Sequence, residues 1–195
     1  MLTERQLEII RTAIQLIAQK GIQGLTLKNL AKEIGISEPA IYRHYENKIE
    51  ILVSILDYFL ERTMGIFSAE VQKEGDPLGK IERIFEAHFD VFSATPALVA
   101  VIFSEEIFRN EPVLTERVKW IMERNSLAIS TIIDDGKARG QLNTEADTRH
   151  LTIIIMGSLR LLVKQWQMAD FSFDLRSSGS AFFVTLKQLL TKYRT

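Results

Sequence analysis

Apolar residues recur along this chain at intervals of three and four, between polar capping residues and glycines, and that rhythm predicts helices from end to end. Thr3 with Gln6 makes a capping-box pattern, after which Leu7, Ile10, Ile14, Ile17 and Ala18 follow at helical spacing until Gly21. Thr26 opens a second helix whose Leu27, Leu30, Ala31 and Ile34 share one face, and Gly35 stops it. Ser37 supplies the next cap and Pro39 sits in the first turn, where its missing N–H costs nothing. The third helix is therefore expected from about Glu38 to about His44. A fourth runs from about Asn47 to Lys73, carries Ile51, Ile55, Tyr58, Phe59 and Arg62, and stops at Gly75. At 1.5 Å per residue it is long enough to bridge two domains. Asp76-Pro77 and Thr95-Pro96 open the fifth and sixth helices. Pro112 opens a seventh with Val113, Trp120, Ile121, Leu127 and Ile132, closed by Gly136 and Gly140. Thr144 with Asp147 begins an eighth, and the loop Asp170 to Asp174 precedes a ninth. Strand-like alternation and repeats do not occur, so the expected class is all-α with about nine helices.

The second and third helices are short and joined by a tight turn. Ile41 and Tyr45 lie four apart and can pack inward with Ile36, which leaves Glu38, Pro39, Ala40, Tyr42, Arg43 and His44 facing outward. A short helix presenting Tyr-Arg-His to solvent suits entry into a DNA groove. The residues also carry a resemblance. Gly21, Leu25-Thr26-Leu27, Ala31, Ile34-Gly35-Ile36-Ser37, Ala40-Ile41-Tyr42-Arg43-His44-Tyr45 and Asn47-Lys48 together resemble the N-terminal domain of the TetR family of bacterial transcriptional regulators. The match covers roughly the first quarter of the chain; the rest is similar only in length and helical texture. The resemblance implies a three-helix DNA-binding domain, residues 1–46, joined by the long fourth helix to a helical ligand-binding and dimerisation domain, residues 47–195.

Charge sets a condition on that reading. The chain has a formal net charge of −1, and residues 1–50 hold seven basic side chains against six acidic ones. DNA affinity draws on Lys and Arg neutralising phosphates, so placement rather than excess must supply it. The expected DNA-facing set is Thr26, Lys28, Ser37, Glu38, Pro39, Ala40, Tyr42, Arg43, His44 and Lys48. Arg43 is suited to a bidentate guanine contact, and Thr26, Lys28, Tyr42, His44 and Lys48 to phosphate or positioning contacts. Tyr42 has a second reading against a thymine methyl. Glu38 either stabilises the helix dipole or accepts from a cytosine amino group.

The 46% hydrophobic content is enough for a sizeable core. The apolar run from Leu151 to Val163 is interrupted by Thr152, Ser158 and Arg160 and is shorter than a bilayer span. No basic stretch followed by an apolar one stands at the start, and cysteine is absent, so the expected place is the cytoplasm.

The eighth helix is apolar nearly all the way round, and the ninth adds more apolar surface than one subunit needs. Burial inside the chain's own domain and a homodimeric four-helix bundle are the two readings; the resemblance implies the second. Its expected contacts are Ile154, Ile155, Ser158, Leu162, Phe182, Leu186 and Leu189. A two-fold dimer presents two recognition helices about one duplex turn, roughly 34 to 36 Å, or a multiple apart, and so reads a palindromic operator in double-stranded DNA. The resemblance also implies a small-molecule pocket among the aromatic C-terminal helices. Its expected lining is Phe89, Phe103, Trp120 and Trp166, with His88 and Asn125 as polar anchors and a largely hydrophobic effector.

Other chemistry finds little support. His44, His88 and His150 have no metal spacing, and Asp147-x-x-His150 supplies only half of a carboxylate–histidine ligand set. Adjacent acids such as Glu105-Glu106 and Asp134-Asp135 point away from each other on a helix. Nucleophile-elbow and phosphate-loop motifs do not occur. The expectation is thus a ligand-responsive, homodimeric repressor with no metal, cofactor or catalysis, in which effector entry tilts the fourth helix and changes the separation of the two recognition helices. The alternative is a helical small-molecule-binding or interaction protein whose helix-turn-helix no longer binds DNA.

Overall fold

Six of the nine helix starts among the described residues are closed by a side chain two or three residues away, whereas the start expected at Thr95-Pro96 has Pro96 at its boundary and no side-chain cap. In the computed structural model, which describes residues 2–104, 111–142 and 145–191, Thr3 Oγ1 accepts from the Gln6 amide while Gln6 Oε1 accepts from the Thr3 amide, starting α1 (Glu4–Gly24). Thr26 accepts from the Asn29 amide at 3.0 Å and starts α2 (Leu27–Ile34). Asn47 Oδ1 accepts from the Glu50 amide at the start of α4 (Lys48–Gln72), and Glu50 reaches back to the Glu46 amide. Asp76, Asp147 and Asp174 cap α5 (Pro77–Ala94), α8 (Thr148–Met168) and α9 (Leu175–Leu190) in the same way. Between them lie α3 (Glu38–Tyr42), α6 (Ala97–Ile102) and α7 (Pro112–Ala138). Nine helices and no strand occur among the described residues, and none of the helices is long and apolar enough to cross a membrane.

Several boundaries differ from the reading above. α1 continues past Gly21 to Gly24, because Gly21 at φ +68° breaks the helix without ending it. Its buried stripe is Ile9, Ile10, Ala13, Ile14, Leu16 and Ile17, with Ala18 exposed. α3 ends at Tyr42 instead of His44: the chain turns at Arg43 and His44 so that Tyr45 can enter the core, where it is 4% exposed. Ser37 is the N-terminal boundary of α3 but its hydroxyl makes no capping bond. Gly136 lies inside α7 and Gly140, at φ +67°, follows its end. Thr144, Glu105-Glu106, Phe108 and Tyr193 fall outside the described residues.

Two compact units emerge, Met1–Leu60 with Thr95–Trp120, and Glu61–Ala94 with Ile121–Thr195. The single boundary expected after residue 46 does not describe them, because α6 packs against α1 and joins the first unit. In that unit α1 also packs on α2, and α2 on α3, around Ile10, Ile14, Leu30, Ile41 and Ile51. The second unit is organised by α5 lying on α9, with Phe85, Phe89, Phe92 and Phe183 fully buried. Helices α4 and α7 each begin in the first unit and end in the second.

Candidate nucleic-acid interface and effector cleft

The turn between α2 and α3 is built by backbone chemistry. Gly35 adopts φ +79°, ψ +31°, and its amide and that of Ile36 both bond the Ala31 carbonyl at 3.0 Å. That left-handed cap reverses the chain within three residues and leaves α3 free to project. Ile41 is fully buried beneath it, so the opposite face carries Ser37, Pro39, Tyr42 and Arg43, all exposed, with Tyr42 54% accessible. Glu38, Ala40 and His44 are half-buried at its margins. Thr26 and Lys28, at the start of α2, are exposed as well. Since Ser37 spends no hydroxyl on capping, that group stays available to a phosphate.

Two side chains pin this unit to the broken end of α1. Asn29 Nδ2 donates to the Gly24 carbonyl at 2.9 Å, and Lys48 Nζ donates to the Ile22 carbonyl at 2.7 Å. The Ile22 carbonyl also accepts the Leu25 amide at 3.2 Å, so Lys48 adds a second donor there, while Asn29 serves a carbonyl of the last turn, where helical donors run out. Lys48 is thus partly buried, and burial pushes its ammonium below the ordinary lysine value. Its role is structural first; the remaining donors can still face a phosphate. Sequence reading missed this, because the contact joins residues 26 positions apart.

The expected effector residues are not brought together. Phe103 and Trp120 belong to the first unit; Trp120, 39% exposed, carries the Arg117 guanidinium 5.0 Å from its ring centroid, and Arg117 Nε donates to Asp57 at 2.6 Å. His88, Phe89, Asn125 and Trp166 belong to the second. There Phe89 is core, edge-on to Phe85 at 6.0 Å. Trp166 is also structural: its indole N–H donates to the Phe173 carbonyl at 2.9 Å and its ring meets Phe171 at 4.7 Å, which fixes the loop before α9.

Asn125 alone of the six lines a cleft in the second unit. Met64, Phe67, Ser68, Val71 and Gln72 of α4 form one wall and Arg124, Asn125, Leu127, Ala128 and Thr131 of α7 the other, around a volume of about 340 Å³. Ser68 and Thr131 donate their hydroxyls to carbonyls of their own helices, so the cleft is more apolar than its composition suggests. The 64, 67/68, 71 and 124, 127/128, 131 spacings are visible in the sequence, yet each reads as an ordinary amphipathic stripe until the two helices are known to face each other.

His88 stands behind this wall, its ring edge-on to Phe67 at 5.2 Å. A carbonyl can only accept, so the 2.9 Å contact with Ile84 places the proton on Nδ1. Burial, against the smaller opposing effect of that bond, pushes the imidazole below its ordinary value of 6.5. Because the unfolded chain then binds more protons than the folded one as pH falls below about 6.5, stability should rise with pH through this range and be lost on acidification. Melting curves between pH 5 and 7 should show that slope, and His88→Gln should flatten it.

Asp147-x-x-His150 is explained by capping, since the Asp147 carboxylate accepts from the His150 amide at 2.9 Å. Asp134 accepts from the Thr148 hydroxyl at 2.6 Å, and Asp135 faces Arg139 at 4.0 Å. On α8 and α9, Ile155 and Leu186 are buried in the chain's own core, which corrects their expected place in a dimer contact. Ile154 and Leu189 are exposed at 49% and 72%, Ser158, Leu162 and Phe182 are half-buried, and Ile153, Leu161 and Val184 join the exposed apolar set.

Comparison with known proteins agrees with this architecture. The family model described as "Bacterial regulatory proteins, tetR family" matches residues 9–55, and that described as "YsiA-like protein, C-terminal region" matches residues 56–188. The nucleoid occlusion factor SlmA of Vibrio atlanticus is 21% identical over 94% of each chain. Among solved structures, the fatty acid degradation regulator FadR of Bacillus halodurans superposes with a TM-score of 0.84, at 22% identity over 96% of each chain. FadR of Bacillus subtilis, in complex with stearoyl-CoA, gives 0.80 at 20% identity over 92% of this chain and 96% of that one. These two likenesses establish the fold.

Proposed function

This chain belongs to the TetR family of bacterial regulatory proteins and is a DNA-binding transcriptional regulator, and from that membership we propose that it works as a homodimeric repressor released from a palindromic operator by a small hydrophobic effector. The observation that carries the reading is the outward face of α3, where Ser37, Tyr42 and Arg43 are exposed over a fully buried Ile41. A helix so presented has its base-reading and phosphate-binding groups on one side, and duplication by a two-fold axis doubles the few cations available to each subunit. Arg43 is the base-reading group; Thr26, Lys28, Tyr42, His44 and Lys48 position the backbone.

The effector site is the α4–α7 cleft. Its apolar walls fit an apolar guest, and the stearoyl-CoA held by the Bacillus subtilis FadR supports the same class of ligand. Helix α4 runs from the DNA-binding unit into the cleft wall, so a guest that favours one placement of α4 shifts the population away from the DNA-competent form.

A mobility-shift titration with the DNA upstream of the protein's own coding region tests the reading. The wild-type protein should shift that DNA and release it when a long-chain acyl-CoA is added. Arg43→Ala should cost roughly 1 to 3 kcal/mol at its base and relax specificity, whereas Lys48→Ala should weaken all sequences alike and lower the salt slope by about 1. Equal losses on operator and random DNA for Arg43→Ala would remove its reading role, and failure to shift any DNA at low salt would overturn the assignment.

A further inference from the structure

Val53 of α4 and Val113 of α7 are shared by two adjoining hollows of the first unit, which together make one open groove. One hollow, about 610 Å³, reaches Tyr45, Glu50 and Ser54; the other, about 520 Å³, reaches Asp57, Glu116 and Trp120. Volumes of this size suit a small molecule. The lining is negative: its described residues include the carboxylates of Glu50, Asp57 and Glu116 and the single guanidinium of Arg117. Arg117 is spent on Asp57, to which its Nε donates at 2.6 Å. Glu50 and Glu116 make no ion pair among the described residues, so their charges are left without a counter-ion. Such a surface repels phosphates and is not part of the DNA contact.

The floor of the groove holds an unsatisfied hydroxyl. Tyr45 Oη lies beside Ser54 without a formed hydrogen bond, and it is the one side-chain polar atom, among the described residues, both closed off from solvent and without a partner. Phenylalanine would fill the same space without that cost. Ser54 is half-buried on the groove wall, so a change of its rotamer opens the hydroxyl to a guest. Burial, opposed by Ser54 and aided by the charge of Glu50, pushes the phenol above its ordinary value, and it stays a neutral hydroxyl able to accept a bond. Glu50 accepts the Glu46 amide at 2.8 Å through Oε2, while Oε1 makes no hydrogen bond among the described residues. At the far end the Trp120 ring already carries the Arg117 guanidinium 5.0 Å from its centroid, so this wall too favours positive charge.

We propose that this groove is a second ligand site, separate from the effector cleft, for an organic ammonium whose head lies between Glu50 and the Tyr45 hydroxyl and whose apolar body rests on Val53 and Val113 toward Trp120. The ammonium donates to the open carboxylate oxygen and to the phenol oxygen, which satisfies the two groups that the chain itself leaves unpaired. Glu116 adds to the field without touching the head. Tyr45 lies three residues beyond the end of α3, so a guest here bears on the recognition helix directly, without passing through the effector cleft.

The probes are 1-naphthylmethylammonium, 1-naphthylmethanol and 1-naphthoate, one apolar body with a positive, a neutral and a negative head, titrated calorimetrically into the full-length protein. The wild type should bind the cation about ten-fold or more tighter than the alcohol, the scale of one charge-assisted hydrogen bond, and the anion no tighter than the alcohol. Glu50→Gln keeps an acceptor for the Glu46 amide and should fold as the wild type does by circular dichroism, yet lose the cation preference with alcohol affinity unchanged. Leu127→Arg, which puts a positive charge on the exposed wall of the effector cleft, should leave cation binding as it was. Ligand-free Tyr45→Phe should melt at or above the wild-type temperature, since it removes only the unsatisfied hydroxyl. No binding of the cation, equal affinity for cation and alcohol, or a preference that survives in Glu50→Gln would overturn the site. Loss of cation binding in Leu127→Arg would overturn it as well, by moving the cation to the cleft.

Discussion

Replacing Ile154 and Leu161 of α8 together by glutamate is expected to give a folded monomer whose operator affinity is about 10²- to 10⁴-fold below wild type, the range lost when two linked binding modules act singly. Both side chains are exposed in the single chain, at 49% and 60%, with Gly157 between them open enough to accept a neighbouring backbone. Ile153 on the same helix and Val184 and Leu189 on α9 extend the apolar surface. A closed two-fold interface is self-complementary, so each substitution appears twice and sets carboxylates against the partner's apolar face, where their desolvation is uncompensated. Light scattering would report the mass, and a mobility shift the affinity. Circular dichroism should be unchanged. The control is Ile155→Glu, one residue away and fully buried, which should unfold the chain instead of separating two chains. A dimer that survives the double substitution would place the interface on another face.

Phe89→Ala should be the most destabilising single truncation in the effector unit, by about 3–5 kcal/mol, or a fall in melting temperature on the order of 10 °C for a chain of this size. The ring is 2% exposed and lies directly on the backbone of α9, where a Cβ added at Gly179 would come within 2.0 Å of Phe89 Cε2. Phe85 and Phe183 complete the cluster, their centroids 5.6 Å apart. Gly179→Ala alone should cost about 1–3 kcal/mol by forcing the ring aside. Combined with Phe89→Ala its methyl occupies part of the space left by the ring, so the double variant should be more stable than the sum of the single losses implies. Chemical denaturation of the four proteins measures that coupling. Simple additivity would show that the close approach of ring and backbone is not what fixes α5 on α9.

The punctuation of the helices was legible because it is local. Thr3 with Gln6, Thr26 with Asn29, Asp147 with His150 and Asp174 with Ser177 each satisfy an orphan amide three residues on, and no distant part of the fold is needed to form them. The DNA-reading surface was legible for a related reason: a short helix with one buried Ile41 has little choice about which residues remain outside. Where the reading departed from the structure, tertiary demands had prevailed. α3 is cut short so that Tyr45 can be buried, and Lys48 is drawn to the Ile22 carbonyl at the end of α1.

The effector residues show the opposite case. Aromatic content pointed to Phe89, Phe103, Trp120 and Trp166, but an aromatic ring serves equally as core, as loop anchor or as ligand contact, and its type does not say which. Phe89 fills the core, Trp166 holds a loop, and Phe103 and Trp120 belong to the other unit. The cleft is lined chiefly by residues that looked ordinary.

By itself, then, the sequence determined the helical class, the places where most helices begin, and the motif that makes this chain a reader of DNA, since all three depend on periodicity and on hydrogen bonds spanning three or four residues. Only the tertiary structure decided which apolar faces are spent within the chain and which remain open, and which two helices enclose the cleft. Those outcomes depend on pairings between helices far apart in the chain, and burial is a property of the pair, not of either sequence segment alone.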